Sequence, residues 1–251
     1  MSQLDFTGKT VWVTGAGRGI GLEVANQFLS LGANVIGFDL AFDDASYEFE
    51  CITLDISDEQ RVKSLVDHVL LKHPELDVLV NAAGILRMAS VEETSWQDFS
   101  DCINVNAGGA FLMIKHTMAR FKQQKHGAIV TVSSNAAKVP RVNMMAYCAS
   151  KAALSSLSHT AGLELAPYGV RCNLVCPGST DTPMQRQLWQ DDQAEANTIK
   201  GFPEQFKLGI PLGKIAAPSD IAQVVVFFAS PMANHITMQD LVVDGGATLN
   251  A

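Results

Sequence analysis

Short runs of apolar, often β-branched residues alternate with longer stretches of helical periodicity along the chain. Most of the short runs are apolar throughout, which is typical of strands that are covered on both faces. They predict strands at Thr10–Thr14, Asn34–Asp39, Glu50–Leu54, Val78–Asn81, Ala128–Ser133, Val170–Val175 and Asp240–Val243. The longer stretches predict helices that include Ile20–Leu31, Asp58–Leu71, Cys102–Gln123, Tyr147–Ala166 and Ser219–Phe228.

This order of elements predicts an α/β protein. Because parallel strands are joined by right-handed crossovers, we expect a Rossmann-like, doubly wound parallel sheet of about seven strands with helices on both faces. No linker, repeat or low-complexity segment divides residues 1–251, so we expect a single domain. One long irregular region, about residues 178–217, follows the end of a strand, where such sheets bind ligands. We expect it to be a lid; a surface insertion with short helices of its own is the alternative.

Composition narrows the class of protein. The chain has 251 residues, 47% of them hydrophobic, and a net charge of −8, which argues against a nucleic-acid partner. No apolar run approaches the roughly 18 residues of a membrane span, and the first strand begins at Thr10, so we expect neither a membrane anchor nor a signal peptide. Five cysteines without metal-like spacing indicate no metal site and a reducing, cytoplasmic location.

A glycine-rich turn lies between the first strand and the first helix. Gly15, Gly19 and Gly21 fit neither G-x-G-x-x-G nor the Walker pattern, yet they would let the backbone approach a ligand closely. The following helix N-terminus suits a pyrophosphate. Asp39 ends the next strand 18 residues after Gly21, where an acid accepts hydrogen bonds from ribose hydroxyls and repels a 2′-phosphate. We therefore expect NAD, the alternatives being a plain tight turn and a solvated acid.

A second group of residues suits proton transfer. Tyr147 and Lys151 are four residues apart, so a helix places them on one face. A nearby ammonium lowers the pKa of a phenol, which is ordinarily about 10, and makes it a better base. Ser134 lies at the end of a predicted strand, 13 residues before Tyr147, and can hydrogen-bond the same substrate oxygen. Its neighbour Ser133 is the alternative serine.

These motifs occur in an order that resembles the short-chain dehydrogenase/reductase family. They are T-G-x-x-x-G-x-G at 14–21, N-A-A-G at 81–84 (the family has Asn at Ala82), Asn-x-x-Gly from Asn106, Ser134, Tyr-x-x-x-Lys at 147–151 and Pro-Gly at 177–178. The resemblance implies catalysis by Ser134, Tyr147, Lys151 and Asn106, the last holding a water that relays the proton. It also implies a homotetramer built on the helices Cys102–Gln123 and Tyr147–Ala166. The cofactor contacts it implies are Gly15, Arg18, Gly19, Ile20, Gly21, Asp39, Asp55, Ile56, Asn81, Ala82, Ala83, Gly84, Tyr147, Lys151, Pro177, Gly178, Thr180 and Thr182.

Four segments that extend beyond the shared motifs resemble one subfamily, which oxidises a cyclic dihydrodiol carboxylate with NAD in siderophore biosynthesis. They are Asn81–Met88, Pro177–Trp189, Glu204–Ala216 and Ile236–Leu249. A carboxylate requires a cation or several donors, and the substrate candidates are Arg141, Gln185, Arg87 and Met184. Each arginine could equally form an ordinary surface salt bridge. A 3-oxoacyl carrier-protein reductase, which favours NADPH, another cyclic-alcohol dehydrogenase and a non-catalytic nucleotide-binding protein are the alternatives.

Overall fold

The computed structural model describes residues 4–43, 47–189 and 191–249. In chain order the strands are β1 (Thr10–Thr14), β2 (Asn34–Asp39), β3 (Glu50–Thr53), β4 (Val78–Asn81), β5 (Gly127–Val132), β6 (Val170–Pro177), β7 (Gly201–Phe202), β8 (Lys207–Leu208) and β9 (Asp240–Val243). Seven of them form one parallel sheet in the order β3-β2-β1-β4-β5-β6-β9, and β7 and β8 form an antiparallel hairpin. The predicted doubly wound sheet is confirmed.

Helices cover both faces of this sheet. In chain order they are α1 (Gly19–Ser30), α2 (Glu59–Lys72), α3 (Trp96–Cys102), α4 (Ala110–Gln124), α5 (Met145–Leu165), α6 (Pro183–Arg186), α7 (Ala194–Lys200) and α8 (Pro218–Ala229). Among the described residues, the helices are all too short or too polar to cross a membrane.

The core lies in two layers, one on each face of the sheet. Every residue of β1 and β4 is buried, as expected for central strands covered twice. One layer packs α1 and α8 on the sheet through residues such as Phe28 and Val225, and the other packs α2, α4 and α5 through Leu79 and Phe121. Strand order reverses between β1 and β4, so the crevice for a ligand opens at their carboxyl ends.

Two predicted elements differ from the structure. The helix expected over 102–123 is interrupted by a π-helical turn, Ile103–Gly109, before α4 begins. That turn carries Asn106, whose carboxamide is bonded to neighbouring segments, and a side chain at Gly109 would overlap Ile56. The region expected to be irregular contains α6, α7 and the β7–β8 hairpin. The sequence does not predict these elements, because the apolar residues of the region are too few and too scattered to show a period.

Candidate active site

The glycine-rich turn is held tightly against the turn that follows β4. Gly15 has φ +70°, and a Cβ there would lie 2.8 Å from the main chain of Ala83. The Thr14 hydroxyl accepts hydrogen bonds from the N–H groups of Ala82 and Ala83, at 3.1 and 3.2 Å. These contacts fix the two turns side by side at the carboxyl edge of the sheet.

Helix α1 begins at this turn without a side-chain cap. Arg18 occupies the N-cap position, is exposed, and makes no capping hydrogen bond, whereas α2 and α3 are capped by Asp58 and Ser95. The N–H groups of the first turn of a helix have no partner within the helix. The start of α1, including Gly19, Ile20 and Gly21, is therefore a donor-rich cradle that fits a pyrophosphate.

Asp39 lies beside this cradle at the end of β2. Its carboxylate accepts hydrogen bonds from the N–H groups of Gly17 at 2.9 Å and Leu40 at 2.7 Å. A carboxylate has about four acceptor sites, so capacity remains for ribose hydroxyls. The structure thus brings the acid to the glycine-rich turn, as the spacing predicted.

The other predicted cofactor contacts lie at or just after the carboxyl ends of β3 and β4. Asp55 is exposed, and its carboxylate accepts from the N–H and hydroxyl of Ser57. Ile56 is buried beside Gly109. Asn81 is buried at the end of β4; its amide donates weakly to Thr131 at 3.4 Å, while its Oδ1 has no partner within the described part of the chain.

The segment after β6 closes the opposite side of the crevice. Gly178 packs so closely on Asp244 that a Cβ would lie 2.6 Å from that residue's side chain. Thr180 is buried, and Thr182 caps α6 by accepting from Gln185 N–H at 3.2 Å. A Cβ on Gly19 would lie 3.5 Å from the Thr182 methyl group, so the segment reaches the glycine-rich turn.

A cavity of about 490 Å³ lies between this segment, the β4 turn and the lid region. Of the residues predicted from sequence, those that line it are Ile20, Ala82, Gly84, Ser134, Arg141, Tyr147, Lys151, Pro177, Gly178, Thr180, Thr182, Met184 and Gln185. Residues of α6, α7 and the β7–β8 hairpin form one wall. The expected lid region therefore borders the cavity, and its role as a lid stays a prediction.

Ser134 and Tyr147 meet inside this cavity. The Ser134 hydroxyl oxygen accepts from Ala136 N–H at 3.1 Å, which leaves its proton free to be donated elsewhere. Burial raises the pKa of Tyr147 to about 12, and a hydrogen bond from Ser134 opposes that rise. The expectation of a lowered phenol pKa is therefore wrong for the protein by itself, because loss of water around the phenolate outweighs the stabilising contacts.

Lys151 lies one helical turn after Tyr147, on the same face of α5. Its ammonium donates to the main-chain oxygen of Val132 at 2.9 Å and is 5.8 Å from the centre of the Tyr147 ring. Burial lowers the pKa of Lys151 to about 8. The positive charge of Lys151 is energetically unfavourable at this buried position and would be stabilised by a bound polar or anionic group.

The side-chain carboxamide of Asn106 is held in place by hydrogen bonds to neighbouring segments. Its Oδ1 accepts from Ile85 N–H at 2.7 Å, and its Nδ2 donates to Ile85 O at 2.9 Å and to Ser150 Oγ at 2.8 Å. Three of the four hydrogen-bonding places of the carboxamide are filled. The water-holding role of Asn106 stays a prediction, and the side chain has one acceptor place left for it. The residue lies in a π-helical turn, a feature that often occurs at functional sites.

The alternative serine, Ser133, forms hydrogen bonds within the protein. Ser133 Oγ lies 2.9 Å from Ser155 Oγ and donates to Lys151 O at 3.4 Å. It attaches the end of β5 to helix α5, and only its neighbour Ser134 is bonded to Tyr147. Ser134 is therefore the better candidate for the substrate oxygen.

The four substrate candidates divide into two groups. Arg141, Met184 and Gln185 line the cavity, and within the described residues the Arg141 guanidinium has neither a hydrogen bond nor an ion pair. Arg87 instead forms an ion pair with Asp98 at 3.3 Å and does not line the cavity. The structure does not bring Arg87 to the site, because its side chain turns toward α3.

Further polar residues of the cavity wall escaped sequence reasoning. Two of them are Lys207, on β8, and Trp189, which follows α6. Lys207 lies between Phe206 and Leu208 and belongs to no recognisable motif. A tryptophan among the lid residues is ordinarily interpreted as an apolar packing residue. Only the fold shows that both reach the cavity.

With this geometry in place, comparison with known proteins defines the class. The profile of a family described as enoyl-(acyl carrier protein) reductase matches residues 15–248. The chain belongs to the short-chain dehydrogenase/reductase family and is an oxidoreductase that uses a nicotinamide cofactor.

Individual relatives are similar over their full length. The chain is 55% identical to 2,3-dihydro-2,3-dihydroxybenzoate dehydrogenase of Escherichia coli K12, covering 99% of this chain and 100% of the relative. It is 40% identical to the enzyme of the same name from Bacillus subtilis 168, with 99% of each covered. Ligand-free aldohexose dehydrogenase of Thermoplasma acidophilum superimposes with a TM-score of 0.88 at 31% identity, covering 98% of this chain and 96% of that one.

Proposed function

We propose that this protein oxidises 2,3-dihydro-2,3-dihydroxybenzoate to 2,3-dihydroxybenzoate with NAD, as a step in siderophore biosynthesis. The observation that carries the proposal is the 55% identity, over the full length, to an enzyme of that name. The cavity supports the proposal, because its volume suits a small cyclic acid and its walls include Ser134, Tyr147 and an unpaired Arg141.

The residues divide the chemistry between them. Ser134 and Tyr147 hydrogen-bond the carbinol oxygen, and Tyr147 takes its proton as hydride leaves the carbinol carbon. A bound nicotinamide ring supplies the hydride acceptor and a positive charge. Lys151, one turn away, lowers the cost of the phenolate and can donate to the nicotinamide ribose. The ketone then loses a ring proton to solvent and becomes the aromatic catechol, which makes the oxidation strongly favourable.

The preference for NAD over NADP rests on Asp39. Its carboxylate is anchored by Gly17 N–H at the glycine-rich turn, where the adenosine ribose of a dinucleotide is held in Rossmann-like folds. A 2′-phosphate beside this carboxylate would meet like-charge repulsion. The 3-oxoacyl carrier-protein reductase alternative, which favours NADPH, is disfavoured for the same reason.

We also propose that the protein is a homotetramer and lies in the cytoplasm. Helices α4 and α5 expose the large apolar side chains Phe111 and Leu163, which are 49% and 66% accessible. Burial of such residues between copies of the chain is favourable. Light scattering on the purified protein would give the mass of the assembly.

The cytoplasmic location is supported by the cysteines. All five are free, as expected in a reducing compartment.

Steady-state kinetics tests the proposed reaction. The chain should convert 2,3-dihydro-2,3-dihydroxybenzoate and NAD into equal amounts of NADH and 2,3-dihydroxybenzoate, with kcat/KM for NADP at least about tenfold lower. A chain that instead reduces 3-oxoacyl thioesters with NADPH, and leaves the dihydrodiol unchanged, would contradict the proposal.

A further inference from the structure

The charges that line the cavity are mostly positive. Four ionisable side chains other than Tyr147 reach its surface in the described residues: Arg141, Lys151, Lys207 and Asp191. Lys151 is bonded to the main chain beside Tyr147. Asp191 is exposed, and its carboxylate accepts from Gln193 N–H at 2.9 Å. Arg141 and Lys207 remain as two cations that form neither a hydrogen bond nor an ion pair with any described residue.

Lys207 is held in place by the hairpin rather than carried on a loose loop. It pairs with Phe202 across the β7–β8 hairpin, and its ammonium lies 5.3 Å from the centre of the Phe202 ring. Gly201 has φ +90°, and a side chain there would overlap the main chain of Gly209. The hairpin is further bonded to α7 by Ile210 N–H, which donates to Ile199 O at 2.8 Å. Packing therefore directs Lys207 toward the cavity.

The Arg141 guanidinium lies within electrostatic range of Lys207. Burial, and next the Arg141 guanidinium, hold the pKa of Lys207 below its usual value, and burial likewise lowers the pKa of Arg141. Asp244 attracts Arg141, but its carboxylate already accepts from Asn135, Thr248 and Gly246 and lies beyond ion-pair distance. Two neighbouring, partly dehydrated cations are costly unless an anion is placed between them.

We propose that Lys207 and Arg141 together bind the carboxylate of the substrate. The identity of the acid rests on the proposed function, whereas the selection for an anion rests on the cavity alone. Arg141 precedes α5 and Lys207 belongs to the lid region. A carboxylate between them therefore ties the lid region to the body of the protein, which makes Lys207 a specificity-determining residue.

Two matched ligands test this assignment: 2,3-dihydroxybenzoate and catechol, which differ only in the carboxylate. Their Kd values are measured by calorimetry on the protein saturated with NAD. Lys207→Met should weaken 2,3-dihydroxybenzoate about 10- to 100-fold, the usual range for a charge-assisted hydrogen bond, and change catechol less than twofold. Lys207→Arg should keep most of the affinity. Lys200→Met, an exposed lysine of the same region that does not line the cavity, is the control and should change neither.

The outcomes separate this inference from the proposed function. Equal weakening of both ligands by Lys207→Met would show that Lys207 only shapes the hairpin, and unchanged binding of both would place the carboxylate elsewhere; either result overturns the assignment. A wild-type protein that fails to oxidise the dihydrodiol, but binds benzoate in a Lys207-dependent manner, would contradict the proposed substrate and support the anion site.

Discussion

The buried ammonium of Lys151 should make the protein less stable at neutral pH than it would be without it. The side chain is 4% exposed and has one acceptor among the described residues, Val132 O. Burial lowers its pKa from 10.5 to about 8, and a difference of this size corresponds to on the order of 3 kcal/mol. Because the folded pKa is the lower one, the cost is complete below pH 8 and disappears as pH rises from about 8 to 10.5.

Lys151→Met removes this charge while keeping a side chain of similar length. It also leaves Val132 O without its donor, which costs about 1–3 kcal/mol. The two effects predict a net gain of about 1 kcal/mol in the free energy of unfolding at pH 7, or a Tm higher by about 2–4 °C. At pH 10 the wild-type ammonium has lost most of its cost, so the variant should be the less stable protein. Turnover should be lost at both pH values.

Thermal unfolding of both proteins at pH 7 and pH 10, at one concentration and without nucleotide, measures this change of sign. Lys63→Met, at an exposed position on α2, is the control, and its effect on Tm should not depend on pH. A Lys151→Met variant that is destabilised to the same extent at both pH values would refute the argument that the charge is buried at a cost.

Three further substitutions test the site. Tyr147→Phe should lower turnover by about 10²–10⁴-fold and leave the Kd of the nucleotide unchanged, and near-normal turnover would remove Tyr147 as the base. Asp39→Asn keeps a hydrogen-bond acceptor but removes the charge, so the ratio of kcat/KM for NAD to that for NADP should fall at least about tenfold; an unchanged ratio would mean that another residue selects the cofactor. Gly15→Ala should lower the free energy of unfolding by about 1–3 kcal/mol more than Gly213→Ala, because its Cβ would lie 2.8 Å from the main chain of Ala83. Gly213 has a similar φ of +68° but open space around it, so equal losses of stability would show that φ alone matters.

The sequence predicted the sheet well because its central strands are buried on both faces. β1, β2, β4 and β9 have the predicted bounds, and the ends of β3, β5 and β6 differ by one or two residues. Continuous apolar runs such as that of β1 leave little choice of structure. The π-helical turn could not be predicted, because it depends on Asn106 meeting Ile85, 21 residues earlier in the chain.

The candidate catalytic residues were recognised by order and spacing, whereas the candidate substrate-binding residues depend on the fold. Tyr147 and Lys151 share a helix face, so their relation is local. Arg141 and Lys207 are 66 residues apart and line one cavity only because the β7–β8 hairpin packs over it. Arg87 looked equally suitable in the sequence, but a local ion pair with Asp98 turns it away.

The path of the hydride tests the central claim most directly. The protein is incubated with NAD and 2,3-dihydro-2,3-dihydroxybenzoate that carries deuterium at both carbinol carbons, and the products are analysed by mass spectrometry. The account predicts one deuterium on the reduced nicotinamide, loss of the other to solvent, and one molecule of unlabelled 2,3-dihydroxybenzoate for each NADH formed. Aromatic product without deuterium on the nicotinamide, or no turnover above that of Tyr147→Phe, would contradict it.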